Sequence, residues 1–199
     1  MPRISLTDFV DIVAASGTPK ATKVRQVKTR PEYQPAFDYY KQLREGIEEC
    51  HRSKAPKGQL DDHVGDIRDP KKVQNYKAIL AGYKRWWGRK DLRWFEAPSE
   101  LFSRAGVDVG VNPELGLRIN GAPHLIKLYF KADPLSKSRV DVITHLMETC
   151  LRSGSPGGTT MAVLDTRRNK LICPTVPIPG LDAALSGEMA YIAALWNEV

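Results

Sequence analysis

The chain has 199 residues, of which 42% are hydrophobic, with 30 Lys and Arg against 23 Asp and Glu. This composition excludes a largely disordered chain, and no stretch holds the ~20 consecutive apolar residues that a membrane helix needs. Its three cysteines (Cys50, Cys150 and Cys173) are widely separated, and no secretory signal follows Met1. We therefore expect free thiols, a cytoplasmic location and no membrane partner.

Helical periodicity dominates residues 1–95. Ser5 caps a helix predicted over 5–16, and residues 20–30 form either a short helix or an extended basic arm. Further helices are predicted over 35–52 and within 60–69. The strongest pattern spans 70–87, where Asp69 is the cap and Pro70 opens the first turn. Its predicted buried side consists of Val73, Tyr76, Leu80, Tyr83 and Trp87.

Strand patterns dominate residues 96–199. Alternating side chains predict strands over 107–111, 115–119 and 124–131, with a tight turn at Asn120-Gly121. A helix from Ser136 to about Arg152, strands over 159–165 and 171–176, and a helix over 180–198 follow. The predicted fold class is α+β, with a basic helical lobe (1–95) before a strand-strand-strand-helix-strand-strand-helix core (96–199). We expect one compact unit, although the sequence also allows the lobe to swing from the core.

The positive charge is concentrated in the first half of the chain. Residues 1–95 contain 20 Lys and Arg against 12 Asp and Glu, whereas residues 96–199 contain 10 against 11. Such asymmetry favours a polyanionic partner such as DNA or RNA, but it is equally typical of basic proteins that bind nothing specific. The candidate nucleic-acid-binding residues are Lys77, Lys84, Arg85, Arg89, Lys90 and Arg93, with Lys131 at their border.

Aromatic residues interleave with these cations, as in proteins that stack single-stranded bases. Tyr76, Tyr83 and Trp87 lie on the predicted buried side of the 70–87 helix, however, so core packing is the favoured interpretation of their rings. Trp86 is predicted at the edge of that side.

A second set of candidates lies in the predicted strands. Asp108 falls in the first strand, Glu114 just before the second, and Lys127 and Lys131 on the third. The order of helix and strands over 70–165 resembles the core of the PD-(D/E)XK, or restriction-endonuclease-like, nucleases, in which acidic side chains hold a divalent metal and a lysine stabilises developing charge at the phosphate. This resemblance implies Asp108 and Glu114 as candidate metal ligands and Lys127 as a candidate catalytic cation. The alternative is that Asp108 and Glu114 are loop or surface acids and that Lys127 and Lys131 form a solvated strand face. Cys50, His51 and His63 form no four-ligand zinc pattern.

The PD-(D/E)XK family carries an acid-x-Lys motif, but Leu125 and Tyr129 stand two residues before Lys127 and Lys131. The segments 5–10, 111–131 and 174–180 resemble a bacterial protein family to which no activity is assigned. This second resemblance implies a bacterial, cytosolic protein and transfers no catalytic residue.

Three functions follow as hypotheses. The leading one is a nucleic-acid-binding protein with a nuclease-like core, whether active or inactive. The second is a nuclease with a rearranged site, which would need Mg²⁺ or Mn²⁺. The third is a non-catalytic interaction or assembly module that uses the apolar side of the last helix toward a protein partner or a second copy. The sequence does not decide whether the chain is an enzyme.

Overall fold

The computed structural model describes residues 1–31, 38–64, 67–174 and 177–199. The first half contains strand β1 (Arg3–Ser5) and helices α1 (Leu6–Val13), α2 (Gly17–Lys28), α3 (Lys41–Arg52) and α4 (Pro70–Trp87), with a 3₁₀ helix over Lys57–Val64. Residues 20–30 therefore lie in a helix for most of their length rather than in an extended arm. The predicted start of the 35–52 helix, with Pro35 and Phe37, lies outside the described residues.

The second half contains most of the strands. They are β2 (Leu92–Phe95), β3 (Glu100–Arg104), β4 (Val107–Val111), β5 (Leu115–Ile119), β6 (Ala122–Tyr129), β7 (Thr160–Asp165) and β8 (Lys170–Ile172). Helix α5 (Lys137–Leu151) joins β6 to β7, and helix α6 (Leu181–Trp196) ends the chain. The predicted α+β class is confirmed. The end of the last predicted strand, residues 175 and 176, lies outside the described part.

The strands form two sheets. The three-stranded sheet has the order β1-β4-β3, and the five-stranded sheet has the order β2-β5-β6-β7-β8. Strands β1, β2 and β3 were not predicted, because they have only three to five residues and β3 buries only Phe102. Strand β1 pairs with β4 and β2 pairs with β5, so both segments of the first half complete sheets of the second.

The β5–β6 hairpin has the predicted turn. Asn120 and Gly121 both have positive φ angles, 49° and 92°, which the favoured two-residue hairpin turn requires. The turn sets the register that pairs Ile119 with Ala122 and Leu115 with Ile126. Strand β6 then runs parallel to β7, with α5 as the crossover helix.

Strand β6 is buried on both faces because a separate core covers each face of the five-stranded sheet. Ile126, Leu128 and Phe130 face the core built with α3, α4 and the 3₁₀ helix. Leu125 and Tyr129 face the core built with α1, α2, α5, α6 and the three-stranded sheet. The alternation predicted for β6 is therefore present, but the side that carries Lys127 is buried rather than solvated.

Helix α4 has the predicted ends and a slightly rotated buried side. Asp69 accepts hydrogen bonds from the backbone N–H groups of Lys71 and Lys72, and Gly88 ends the helix at a φ of 54°. Trp86 is buried against Tyr83, whereas Trp87 is only half-buried. The predicted roles of the two tryptophans are thus reversed, because a 3.6-residue period places both next to the buried side.

The remaining helices use their apolar sides within the chain. Leu185, Met189 and Ile192 of α6 lie in the core beneath the three-stranded sheet, with Trp196 packed half-buried against it. Across the described residues, none of the helices combines the length and the apolar character required to cross a bilayer.

Gly82 allows α4 to approach the end of β7 closely. A Cβ atom at this position would stand 1.9 Å from the carbonyl oxygen of Thr166. In an exposed helix, Ala is more favourable than Gly by about 1 kcal/mol. At this position we expect Gly82→Ala to lower the free energy of unfolding by about 1–3 kcal/mol instead, because the two backbones must separate to make room for the Cβ atom. Urea unfolding measures the change.

Gly187 in α6 is the matched control, because it is exposed and a Cβ atom there meets nothing within 4 Å. Gly187→Ala should therefore stabilise the protein by up to about 1 kcal/mol. Equal effects of the two substitutions would contradict this account of the α4 contact.

Candidate functional site

A cavity of about 870 Å³ lies beside the carboxyl-terminal end of β6. We call it the β6 cavity. Its walls come from β1 and the first turns of α1, from the end of β6, from the first half of α5, and from residues 38–44 and 112–114. Binding sites of α/β sheets commonly lie at the carboxyl ends of parallel strands, and this volume is within the usual range for small-molecule sites.

A buried ion pair forms one wall of this cavity. Lys127 Nζ lies 2.6 Å from Glu114 Oε1 and also donates to the carbonyl oxygen of Asn112 at 2.9 Å. The backbone N–H of Leu128 donates to Glu114 Oε2 at 2.7 Å. Both side chains are less than 10% exposed. The structure thus joins two predicted site residues that are thirteen positions apart in the sequence.

The charge of Glu114 also affects the pKa of Glu48 in α3. Burial raises the pKa of the Glu48 carboxyl, and the negative charge of Glu114 raises it further. The two carboxyl groups are therefore close enough to repel each other, and Lys127 compensates only the one that it contacts.

Asp108 lies in a different setting from Glu114 and Lys127. It belongs to β4 in the three-stranded sheet, where its carboxylate accepts a hydrogen bond from Ser103 Oγ at 2.6 Å. Within the described residues, no group of three or more His, Cys, Asp or Glu side chains could hold a metal ion. The roles assigned to Asp108, Glu114 and Lys127 in metal-dependent hydrolysis stay predictions.

A second charged cluster at the cavity was not predicted as a unit. Asp11 of α1 accepts hydrogen bonds from Lys131 Nζ at 2.5 Å and from the guanidinium of Arg139. Burial alone would raise the pKa of Asp11, but the hydrogen bonds and positive charges of Lys131 and Arg139 outweigh it and lower the pKa. Lys131 is thus part of the cavity wall as well as a predicted nucleic-acid-binding residue.

The sequence held one signal for this cluster. Arg139 lies in the first turn of α5, where the positive end of the helix dipole disfavours a cation. A carboxylate from elsewhere in the chain is the natural compensation, and Asp11 provides it.

The predicted basic residues around α4 differ in how freely they face solvent. Lys84 contacts Asp61 at 2.7 Å, Arg93 contacts Asp91 at 2.9 Å, and Lys90 donates to the carbonyl oxygen of Trp86. In α4 and just beyond its end, four exposed cations form no ion pair with a described carboxylate. We call them the α4 basic face: Lys71, Lys77, Arg85 and Arg89.

The aromatic residues of the same segment are mostly structural. Tyr76, Tyr83 and Trp86 are buried, in agreement with core packing rather than base stacking. Trp94 lies under the guanidinium of Arg52, 5.3 Å from ring to cation. Among the described residues, the exposed side chains on the outer side of α4 are therefore mainly cations rather than aromatic rings.

His51 takes part in the core instead of a metal site. Its Nε2 atom lies 2.6 Å from the hydroxyl oxygen of Tyr83, and its ring stacks on Trp87 at 4.4 Å. Burial lowers the pKa of His51 from 6.5 to about 4. The side chain of His63, the other histidine considered for metal binding, lies outside the described residues.

Comparisons with protein-family models, curated proteins and solved structures found no match. The two family resemblances drawn from the sequence stay predictions.

The buried pair predicts a large effect of removing Lys127. Lys127→Met leaves the Glu114 carboxylate buried beside no cation, so we expect a loss of about 3–5 kcal/mol in the free energy of unfolding. The double variant Glu114→Gln/Lys127→Met buries no charge and should be more stable than Lys127→Met alone. Urea unfolding of both variants tests this; a loss below about 1 kcal/mol for Lys127→Met would contradict the pairing.

The lowered pKa of His51 predicts a pH-dependent stability. Above pH 6.5 the histidine is neutral whether the chain is folded or unfolded. As the pH falls from 6.5 to 4, the unfolded chain binds a proton that the folded chain excludes, so stability is lost over this range, by about 3 kcal/mol in total.

Comparing His51→Gln with the parent isolates this contribution, since other acidic groups titrate in both proteins. The variant should lose less stability than the parent between pH 7 and pH 4.5 in urea unfolding. Identical pH profiles for His51→Gln and the parent would refute the assignment.

Proposed function

We propose that this chain binds nucleic acid through the α4 basic face. The observation that carries the proposal is the charge of residues 70–90, which contain seven Lys and Arg and no Asp or Glu. Asp69 and Asp91 stand at the two ends of this segment, and Asp69 is occupied as the helix cap. A positively charged helix of this kind attracts phosphates and releases the counterions condensed on them.

The geometry of α4 supports phosphate contacts in particular. Lys71, Lys77 and Arg85 lie on the side of the helix opposite the buried Tyr76, Tyr83 and Trp86. Arg89 extends the same surface just beyond the helix end. Because the rings of Tyr76, Tyr83 and Trp86 lie in the core, the α4 basic face offers hydrogen-bond donors to the phosphate backbone, and these three rings are not available for bases to stack on. We therefore expect binding that depends weakly on sequence and favours duplexes over single strands.

Charge reversal tests the surface. We expect Lys77→Glu/Arg85→Glu/Arg89→Glu to weaken binding of all sequences alike and to flatten the dependence of log K on log salt by about 3, one for each lost phosphate contact. Lys84 is left in place because it contacts Asp61. Electrophoretic mobility shifts and fluorescence anisotropy with single- and double-stranded DNA and RNA over a salt series provide the measurement.

The matched control is Arg25→Glu/Arg118→Glu/Lys170→Glu, which changes the net charge equally at three exposed residues far from one another in the sequence. It should shift affinity only slightly and keep the salt slope. If both triple variants behave alike, net charge rather than the α4 basic face governs binding. No shift at low salt with any of the four nucleic acids excludes the proposal.

The nuclease alternative is favoured by one feature, the contact between Glu114 and Lys127 at the β6 cavity. It assigns Asp108 and Glu114 to Mg²⁺ or Mn²⁺ and Lys127 to charge stabilisation. Adding either metal to the binding reactions with plasmid DNA and RNA separates cleavage from binding. In this alternative, Asp108→Asn abolishes cleavage while leaving binding at α4 intact.

A further inference from the structure

We propose that the β6 cavity binds a small organic anion, a carboxylate or similar head group attached to an apolar body. The proposal is independent of nucleic-acid binding, since no residue of α4 lines the cavity. It rests on the charge balance of the cavity wall, on the hydrogen-bond donors that remain there, and on the apolar surface beside them.

The charge balance favours an anion. Two cations, Lys131 and Arg139, line the cavity and share a single carboxylate, Asp11, which does not itself line it. Arg3 of β1 adds another cation to the wall. The other three cavity pairs, Arg30 with Asp8, Arg44 with Asp38 and Lys127 with Glu114, are each neutral. The net positive charge therefore lies around Lys131, Arg139 and Arg3.

The donors at this place exceed what Asp11 accepts. A lysine ammonium has three N–H donors and a guanidinium has five. Among the described residues, Lys131 and Arg139 each direct one hydrogen bond to Asp11. Their remaining donors are available to a second acceptor, and a planar guanidinium suits a carboxylate or phosphate head group.

Apolar side chains complete the site. Val10, Leu135, Ile143 and Val163 line the cavity together with the ring of Tyr129. These residues belong to α1, β6, the loop between β6 and α5, α5 and β7, so the apolar part of the wall is built from several elements. A head group bound by Lys131 and Arg139 would therefore have apolar surface on which the rest of the ligand packs.

The experiment uses three probes with the full chain. 1-Naphthoate carries a carboxylate on an apolar body, 1-naphthylmethanol carries the same body without charge, and acetate carries the charge without the body. We expect isothermal titration calorimetry to show naphthoate binding about ten- to hundred-fold tighter than either other probe, as charge-assisted hydrogen bonds and apolar burial both contribute.

Two variants with opposite expected effects distinguish binding from mere stability. Lys131→Gln/Arg139→Gln should reduce naphthoate affinity to that of the neutral alcohol. Asp11→Asn removes the competing carboxylate and should strengthen naphthoate binding several-fold. If Asp11, Lys131 and Arg139 only supported the fold, both variants would bind naphthoate more weakly than the parent. Circular dichroism checks that each variant is folded.

The triple variant Lys77→Glu/Arg85→Glu/Arg89→Glu is the control for general charge effects and should keep the parent's naphthoate affinity. Equal affinities for naphthoate and naphthylmethanol, or an Asp11→Asn variant that binds naphthoate more weakly than the parent, would overturn the proposal. So would naphthoate binding that survives in Lys131→Gln/Arg139→Gln.

Discussion

The burial of β6 on both faces is the constraint from which the candidate site follows. A strand between two cores is expected to be apolar throughout, yet β6 carries Lys127 in its centre. A buried ammonium group requires a compensating charge, and Glu114 provides it from the segment just before β5. This pairing fixes residues 112–114 against β6, because Asn112 also accepts a hydrogen bond from Lys127. The resulting fixed wall is one side of the β6 cavity.

Ion pairing explains why the number of Lys and Arg residues in each half of the chain is a poor guide to where the unpaired cations lie. The excess in residues 1–95 includes Lys20, Arg30 and Lys84, each of which contacts a carboxylate. The nearly neutral second half, by contrast, contributes Lys131 and Arg139, two cations that share one carboxylate. Counting residues by halves therefore misses a local charge excess formed by residues that are 120 positions apart in the sequence.

The parts of the fold that local physics determines were predictable from the sequence. The Asp69 cap, the Asn120-Gly121 turn and the apolar alternation of β6 each depend on residues adjacent in the chain. The parts that depend on distant partners were not. Strand β1 has three residues and exists because β4 accepts it as a parallel neighbour, and the Asp11 cluster joins α1 to α5. Glu114 and Lys127 were both predicted as site residues, and the register set by the Asn120-Gly121 turn extends to place them opposite each other.

The two proposed surfaces differ in the physics of the anion that each suits. On α4 the cations are exposed and spread along the helix, so each gains from releasing counterions on a long polyanion and little from a single small ion that water solvates equally well. In the β6 cavity the cations are partly withdrawn from water and apolar side chains surround them, so a compact head group with an apolar body replaces their hydration. The side chains of Lys131 and Arg139 are 36% and 22% exposed, so they are less accessible to a wide duplex than the exposed cations of the α4 basic face are. The two proposals thus assign to one basic chain two sites that differ in the size of the anion that each suits and in the solvation of their cations.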